Sequence, residues 1–323
     1  MSPKTRTRKR IFRAIGALML LTAMGSGGWL IANFYYVFEN SNTYFRWQYH
    51  LLPQLAFYTG KYTYTVGESI DCHISGNGAA DLRLWDVHKT QVFQAKKIQL
   101  GYQPLPDSAS VRGCGWRIST QLATASLPSG WYIVEVAQGA RSWRQTVFIV
   151  PQRVQKRVAM LLCTHTWNAY NAWGGQSLYT KNYAHTVSFL RPQPLSDPFL
   201  PDNFTNQQYR YQSARQDRHL AALFTQHHIA YDAYDIGALE NNIEQLKKYD
   251  IITISTHSEY WTENMLRHLN EYLAQGGSLL SLSGNTAAYI SYLNTQNHTL
   301  SVYKSEANLW CFLELTSDFI RFL

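Results

Sequence analysis

From Leu55 to Pro151 the apolar positions recur at every second residue, in short runs separated by turn residues. Tyr62-Thr63-Tyr64-Thr65-Val66 leads into Gly67-Glu68, and Ser69–Ser75 into Gly76-Asn77-Gly78. Asp81–Trp85, Trp116–Ser119, Trp131–Val136 and Gln145–Val150 continue the series. Alternation of this kind predicts strands with one buried face. Strands repeated over 55–151 predict an immunoglobulin-like β-sandwich, and Leu127-Pro128-Ser129-Gly130-Trp131-Tyr132 has the form of an entry to one of its late strands.

After a boundary at Pro151–Arg157 the period changes. Val158–Cys163, Ile251–Ile254 and Leu279–Leu282 are continuous apolar runs, the mark of strands buried on both faces. Between them lie three stretches with helical spacing: 216–228 with Leu220, Leu223 and Phe224 inside; 239–249 with Ile243, Leu246 and Tyr249; and 262–275 with Met265, Leu266, Leu269, Tyr272 and Leu273, stopped by Gly276-Gly277. Strands interleaved with helices predict an α/β domain over 157–323 with a parallel sheet and right-handed crossovers. There is no internal repeat and no low-complexity tract. The Pro- and aromatic-rich stretch 186–212 is either a pocket wall or lid, or a surface excursion.

The first 54 residues have a different pattern. Residues 1–13 form a basic tail, 14–38 contain no charged side chain, and 39–54 form an aromatic, polar linker. An uncharged run of that length exceeds the roughly 20 residues a helix needs to cross a bilayer. Six preceding cations would hold the N-terminus in the cytoplasm. The expectation is a single-pass inner- or plasma-membrane anchor with the body periplasmic or extracellular; a cleaved signal peptide is the alternative.

Those same cations explain the charge. The 323 residues carry 29 Lys and Arg against 21 Asp and Glu, but Lys4, Arg6, Arg8, Lys9, Arg10 and Arg13 precede any acid. The remainder is 23 against 21, so nothing electrostatic points to nucleic acid. Of the four cysteines, Cys72 and Cys114 either pair in an oxidising compartment or are two separate buried residues; Cys163 ends a core strand and reads as packing.

Each predicted core strand of the second domain ends in polar side chains: Thr164–Tyr179, Thr256–Trp261 and Ser283–Asn285. The carboxyl ends of strands are where open α/β sheets bind ligands. His257 and Glu259, two residues apart, share a side of their strand and can together bind a metal, activate water or relay a proton. Tyr170 and Asn285 lie at the neighbouring strand ends. Asn285, after Gly284, either faces a substrate oxygen or forms a turn or helix cap. Gly174-Gly175 brings backbone N–H groups near a ligand or makes a tight turn.

Thr166-Trp167-Asn168-Ala169-Tyr170-Asn171-Ala172-Trp173-Gly174-Gly175-Gln176-Ser177-Leu178-Tyr179 resembles a signature of proteins related to the large (beta) subunit of N,N-dimethylformamidase. So do Ser188-Phe189-Leu190-Arg191-Pro192, His257-Ser258-Glu259-Tyr260-Trp261 and Gly276–Asn285, in the same order over about residues 157–290. The resemblance implies a flavodoxin-like core of the class I glutamine-amidotransferase type, without that group's cysteine nucleophile. It implies a mononuclear Fe(III) held by two tyrosines and a glutamate, with a histidine and an asparagine beside it. On this basis Glu259 is the carboxylate ligand, Tyr170 one tyrosine, and His257 and Asn285 the neighbouring groups; the second tyrosine is Tyr132 or Tyr179. Related proteins run well past the asparagine, whereas this chain ends about 40 residues on in Phe319-Ile320-Arg321-Phe322-Leu323, which reads as a short or incomplete core.

Two functional expectations follow. One is an exported, membrane-anchored, metal-dependent hydrolase of small amides or related C–N bonds, with a homo-oligomer compatible with it. The other is a catalytically inactive envelope protein that binds a glycan or a protein partner.

Overall fold

The computed structural model describes residues 55–179, 184–200 and 212–303. The expected segments 1–13, 14–38 and 39–54 lie outside the described residues. The first region contains β1 (Ala56–Thr59), β2 (Thr63–Thr65), β3 (Ser69–Ser75), β4 (Gly78–Asp86), β5 (Gln91–Leu100), a one-turn helix α1 (Ala109–Arg112), β6 (Thr120–Ala123), β7 (Gly130–Gln138) and β8 (Arg141–Val150). They build two sheets, β1-β3-β6 and β2-β8-β7-β4-β5. Phe57, Ile70, Cys72 and Ile74 of the first sheet meet Leu82, Leu84, Tyr132, Val134, Val147 and Ile149 of the second in one core.

The second region comprises β9 (Val158–Leu162), α2 (Thr164–Tyr170), β10 (Thr186–Ser188), α3 (Ala214–Gln226), β11 (Tyr231–Asp235), α4 (Ala238–Asn241), α5 (Ile243–Leu246), β12 (Ile251–His257), β13 (Tyr260–Trp261), α6 (Glu263–Ala274), β14 (Ser278–Gly284), β15 (Tyr289–Ile290), β16 (Tyr292–Asn294) and β17 (Thr299–Ser301). Four strands run parallel in the order β11-β9-β12-β14. β10, β17 and β16 form a small antiparallel sheet, and β13 pairs with β15.

The two regions share apolar side chains. Trp131, Ile133 and Phe148 turn from the five-stranded sheet toward Met160, Leu162, Trp167 and Phe224. β7 is therefore buried on both faces, which is why Trp131-Tyr132-Ile133-Val134 is apolar without a break. Asp232 of β11 adds a polar clamp: it accepts from Ser129 Oγ at 2.6 Å, Lys156 Nζ at 2.7 Å and Tyr249 OH at 2.8 Å. The opposite face of the parallel sheet places Ala159, Leu161 and Ile254 against Met265, Leu269 and Tyr272 of α6.

Several expectations are corrected. The flavodoxin-like, glutamine-amidotransferase-type fold class does not describe this molecule. Strands in mixed and antiparallel sheets dominate, and the described residues hold six α-helices, three of them a single turn. Such helices cannot clothe both faces of a doubly wound sheet. β14 shows the consequence: Leu280 is 43% and Leu282 54% exposed on what the sequence presents as a core strand. The single-pass membrane placement finds no support: among the described residues no helix is long and apolar enough to cross a membrane, and the expected span, 14–38, lies outside them. Cys72 and Cys114 are free, buried thiols rather than a disulfide. Residues 116–119 are not a strand, and the helix expected over 239–249 breaks at Asn242 into α4 and α5.

Candidate functional site

The site begins with α2. All seven of its residues are buried, which a helix with so many polar side chains tolerates only if those groups find partners. Thr166 Oγ1 accepts the Glu259 N–H at 3.0 Å, fixing α2 against the segment after β12. The chain then folds back through Gly174 and Gly175, at φ 90° and 98°, where a side chain would be strained. At Gly174 a Cβ would also sit 2.9 Å from the Ser110 backbone nitrogen of α1. This turn returns Tyr179 onto Tyr170, with ring centroids 3.8 Å apart and planes 15° from parallel.

Arg191 holds the fold-back in place. Its guanidinium, fully buried, donates to the carbonyl oxygens of Trp173, Gln176, Asn168 and Ser188, and to Asn168 Oδ1. Burial pushes its pKa down to about 9.

β12 delivers the acid. At its end Thr256 adopts φ 65°, an uncommon conformation for a β-branched residue. Asp217 of α3 holds this bend, accepting from Ser255 Oγ at 2.6 Å and Thr256 Oγ1 at 3.2 Å. The following residues are stapled on both sides. Ser258 N–H donates to Ser283 Oγ at 3.0 Å, Trp261 Nε1 to Ser258 O at 2.9 Å, and Tyr289 N–H to Glu259 O at 2.8 Å.

The result is a phenol–carboxylate cluster. Tyr170 OH lies 3.1 Å from both Glu259 oxygens, and Tyr179 OH donates to Oε2 at 2.7 Å. Tyr260 OH donates to the Tyr179 oxygen at 2.6 Å. Glu259 is 1% exposed. Burial, reinforced by Glu259, raises the pKa of both phenols; for Tyr179 the Tyr260 neighbour adds to the rise. Tyr260 is pushed up by burial as well. His257 Nδ1 stands 3.3 Å from Glu259 Oε1, within ionic reach though not aligned as a hydrogen bond, and its ring is 31% exposed. Gly284 pairs with His257 across β12 and β14, and a Cβ there would lie 3.4 Å from His257 Nε2.

Tyr170, His257 and Glu259 thus meet, and Tyr179 joins them. Tyr132 does not: its hydroxyl donates to Pro128 O at 2.9 Å and its ring lies in the β core. Asn285 is exposed at φ 53°, and its side chain has no hydrogen-bond partner among the described residues. Sequence reasoning missed Tyr260, Thr166, Arg191 and Asp217. The first three lie inside the motifs quoted above; the motifs marked the segments but not which side chains turn inward. Asp217 carried no signal beyond an acid within a helix.

Among the described residues no group of three or more His, Cys, Asp or Glu side chains gathers as a metal site. The converging donors are instead two phenols and one carboxylate. Glu259 has no Lys or Arg partner among the described residues, so its buried charge is met only by hydroxyl groups and by His257. Hard oxygen donors around an uncompensated anion suit a hard cation.

The model of the family described as N,N-dimethylformamidase beta subunit-like, C-terminal, matches residues 75–309, and the chain belongs to that family. No curated protein matches it. Among solved structures it is similar to β-glucuronidase from Ruminococcus gnavus in complex with N1-substituted uronic isofagomine, at 10% identity over 82% of this chain and 57% of that chain, with a TM-score of 0.16. The same enzyme with D-glucuronic acid gives 11% identity, the same coverages and a TM-score of 0.16. The chain spans 57% of the length of those structures, and a likeness at that TM-score carries no argument about fold or chemistry.

Proposed function

We propose that the chain hydrolyses a small amide or a related non-peptide C–N bond. The supporting observation is the meeting of the Tyr170 and Tyr179 hydroxyls on buried Glu259, in a member of a family named for an amidase subunit. Tyr170, Tyr179 and Glu259 would hold a mononuclear ferric ion. Such an ion supplies Lewis acidity, polarising an amide carbonyl and acidifying water.

The remaining work belongs to the chain. With both phenols protonated, their O–H groups hold the carboxylate in place; a nearby cation would invert the electrostatics that raise their pKa values. Tyr260 donates to the Tyr179 oxygen and so stabilises negative charge there once the Tyr179 proton has left. His257, partly exposed beside Glu259, is the group we assign to accept a proton from attacking water and return it to the leaving nitrogen. Asn285, on the strand end that pairs with His257, is the amide we assign to the substrate oxygen.

The test is reconstitution of the full chain with ferric iron, followed by visible absorption and assay against small formamides. A phenolate-to-iron charge-transfer band is expected, lost in Tyr179→Phe and in Glu259→Gln. Hydrolysis should fall by roughly a hundredfold or more in each. A colourless protein that leaves formamides intact, with both variants indistinguishable from it, would reduce the cluster to a structural hydrogen-bond lock.

A further inference from the structure

A polar cavity lies against the first turn of α2 and is lined by none of Tyr170, Tyr179 and Glu259. It has a volume of about 390 Å³, within the roughly 300–1,000 Å³ of small-molecule sites. Its floor is the carboxyl ends of β9 and β11, with Thr164, His165, Asp235 and Gly237; the β1–β2 connection closes one side.

The floor is built from hydrogen-bond acceptors. His165 Nδ1 lies 3.2 Å from the Tyr260 carbonyl oxygen, so it carries the ring proton and the neutral ring leaves Nε2 as an acceptor. Burial favours that neutral form. Nε2 has no hydrogen-bond partner among the described residues. Asp235 Oδ2 accepts from Thr63 Oγ1, while Oδ1 has no partner among the described residues. These two open acceptors bracket the space a side chain on Gly237 would enter: a Cβ there would lie 2.6 Å from Asp235 Oδ1 and 3.4 Å from His165 Nε2. Thr164 Oγ1, fully buried in the same floor, likewise has no partner among the described residues. Buried polar atoms are rarely left unpaired without a reason.

The walls narrow the ligand class. Amides of Asn241, Asn242 and Asn294 line the mouth, and Tyr62 and Phe189 meet edge to face with centroids 6.4 Å apart. Lys61 is paired with Glu68, leaving Asp235 as the one carboxylate of the lining without a cation. With Lys61 and Glu68 neutralising each other, the lining offers amides, hydroxyls and one open carboxylate, a set that the hydroxyl donors of a neutral ligand can satisfy. We infer that this cavity binds a neutral polyhydroxylated molecule of the monosaccharide class, with neighbouring hydroxyls donating to Asp235 Oδ1 and His165 Nε2. The inference is independent of the amide-hydrolase reading, since none of the three proposed metal-holding residues lines the cavity.

The experiment is saturation-transfer NMR and calorimetric titration of the full chain with D-glucose, D-galactose and N-acetylglucosamine, with putrescine as a cationic probe. Saturable binding of at least one sugar is expected. Asp235→Asn should weaken it about tenfold or more. Asn241→Trp, at an exposed position on the rim where folding is little affected, should block it; Glu259→Gln should leave it unchanged. The inference is overturned if none of the sugars binds, if only putrescine binds, if binding survives both cavity variants, or if it is lost in Glu259→Gln.

Discussion

Arg191 and Asp217 are buried ionisable groups with opposite requirements. Arg191 has traded water for a set of carbonyl oxygens, and it ties α2, the 173–176 turn and its own loop together. A lysine has one ammonium on a flexible stem and cannot reach that fan of acceptors. Arg191→Lys should therefore cost about 2–4 kcal/mol in urea unfolding and loosen the Tyr170–Tyr179 stack, which difference absorption of the tyrosines would register. Stability equal to the parent would show that the carbonyls are satisfied otherwise. Asp217 is the reverse case: burial raises its carboxyl to about 7 from the usual 3.8. Between those values the folded protein keeps a proton the unfolded chain has released. Stability is thus fullest near pH 4, falls as pH rises toward 7, and levels off above it, as far as this group is concerned. The slope is about 1.4 kcal/mol per pH unit at most. Asp217→Asn keeps an acceptor for Ser255 Oγ and should abolish that slope in urea titrations at pH 5, 6, 7 and 8. An unchanged slope would assign it to another group.

At the level of elements, legibility in the sequence followed burial. β9 and the start of β12 were readable because both faces of the sheet are covered there, so nearly every position is apolar, Thr253 excepted. β11 was not, because Tyr231-Asp232-Ala233-Tyr234-Asp235 carries two acids and looks like loop; its Asp232 is buried only because Ser129, Lys156 and Tyr249 surround it. The polar α2 looked like a loop for the same reason, since partners from distant segments make its burial affordable. Of the four candidate residues read at the strand ends, Tyr170, His257 and Glu259 lie together, whereas Asn285 is exposed with no side-chain partner among the described residues. The choice between Tyr132 and Tyr179 was not legible, because it depends on the Gly174-Gly175 fold-back and on which face of β7 Tyr132 occupies.

At the level of the whole molecule, the β region and the parallel sheet are joined by more than a linker. Tyr62, Trp131 and Phe148 lie in the same core as Met160, Leu162 and Trp167, and Thr146 Oγ1 donates to Ser196 O at 2.6 Å across the junction. Neither region can shed the other without exposing large aromatic rings, so the two should unfold as a single cooperative unit. Phe148→Ala tests this. It leaves a cavity at the shared core and should cost about 3–5 kcal/mol. Because the ring belongs to both regions, the loss should appear equally in far-ultraviolet circular dichroism, which weights the β-sheets and the helices of the second region differently, and in tryptophan fluorescence. Two separated transitions in either the parent or the variant would mean the regions fold independently. The phenol cluster, held between the Ser110 contact of one region and the β12 end of the other, would then depend on a junction that opens on its own.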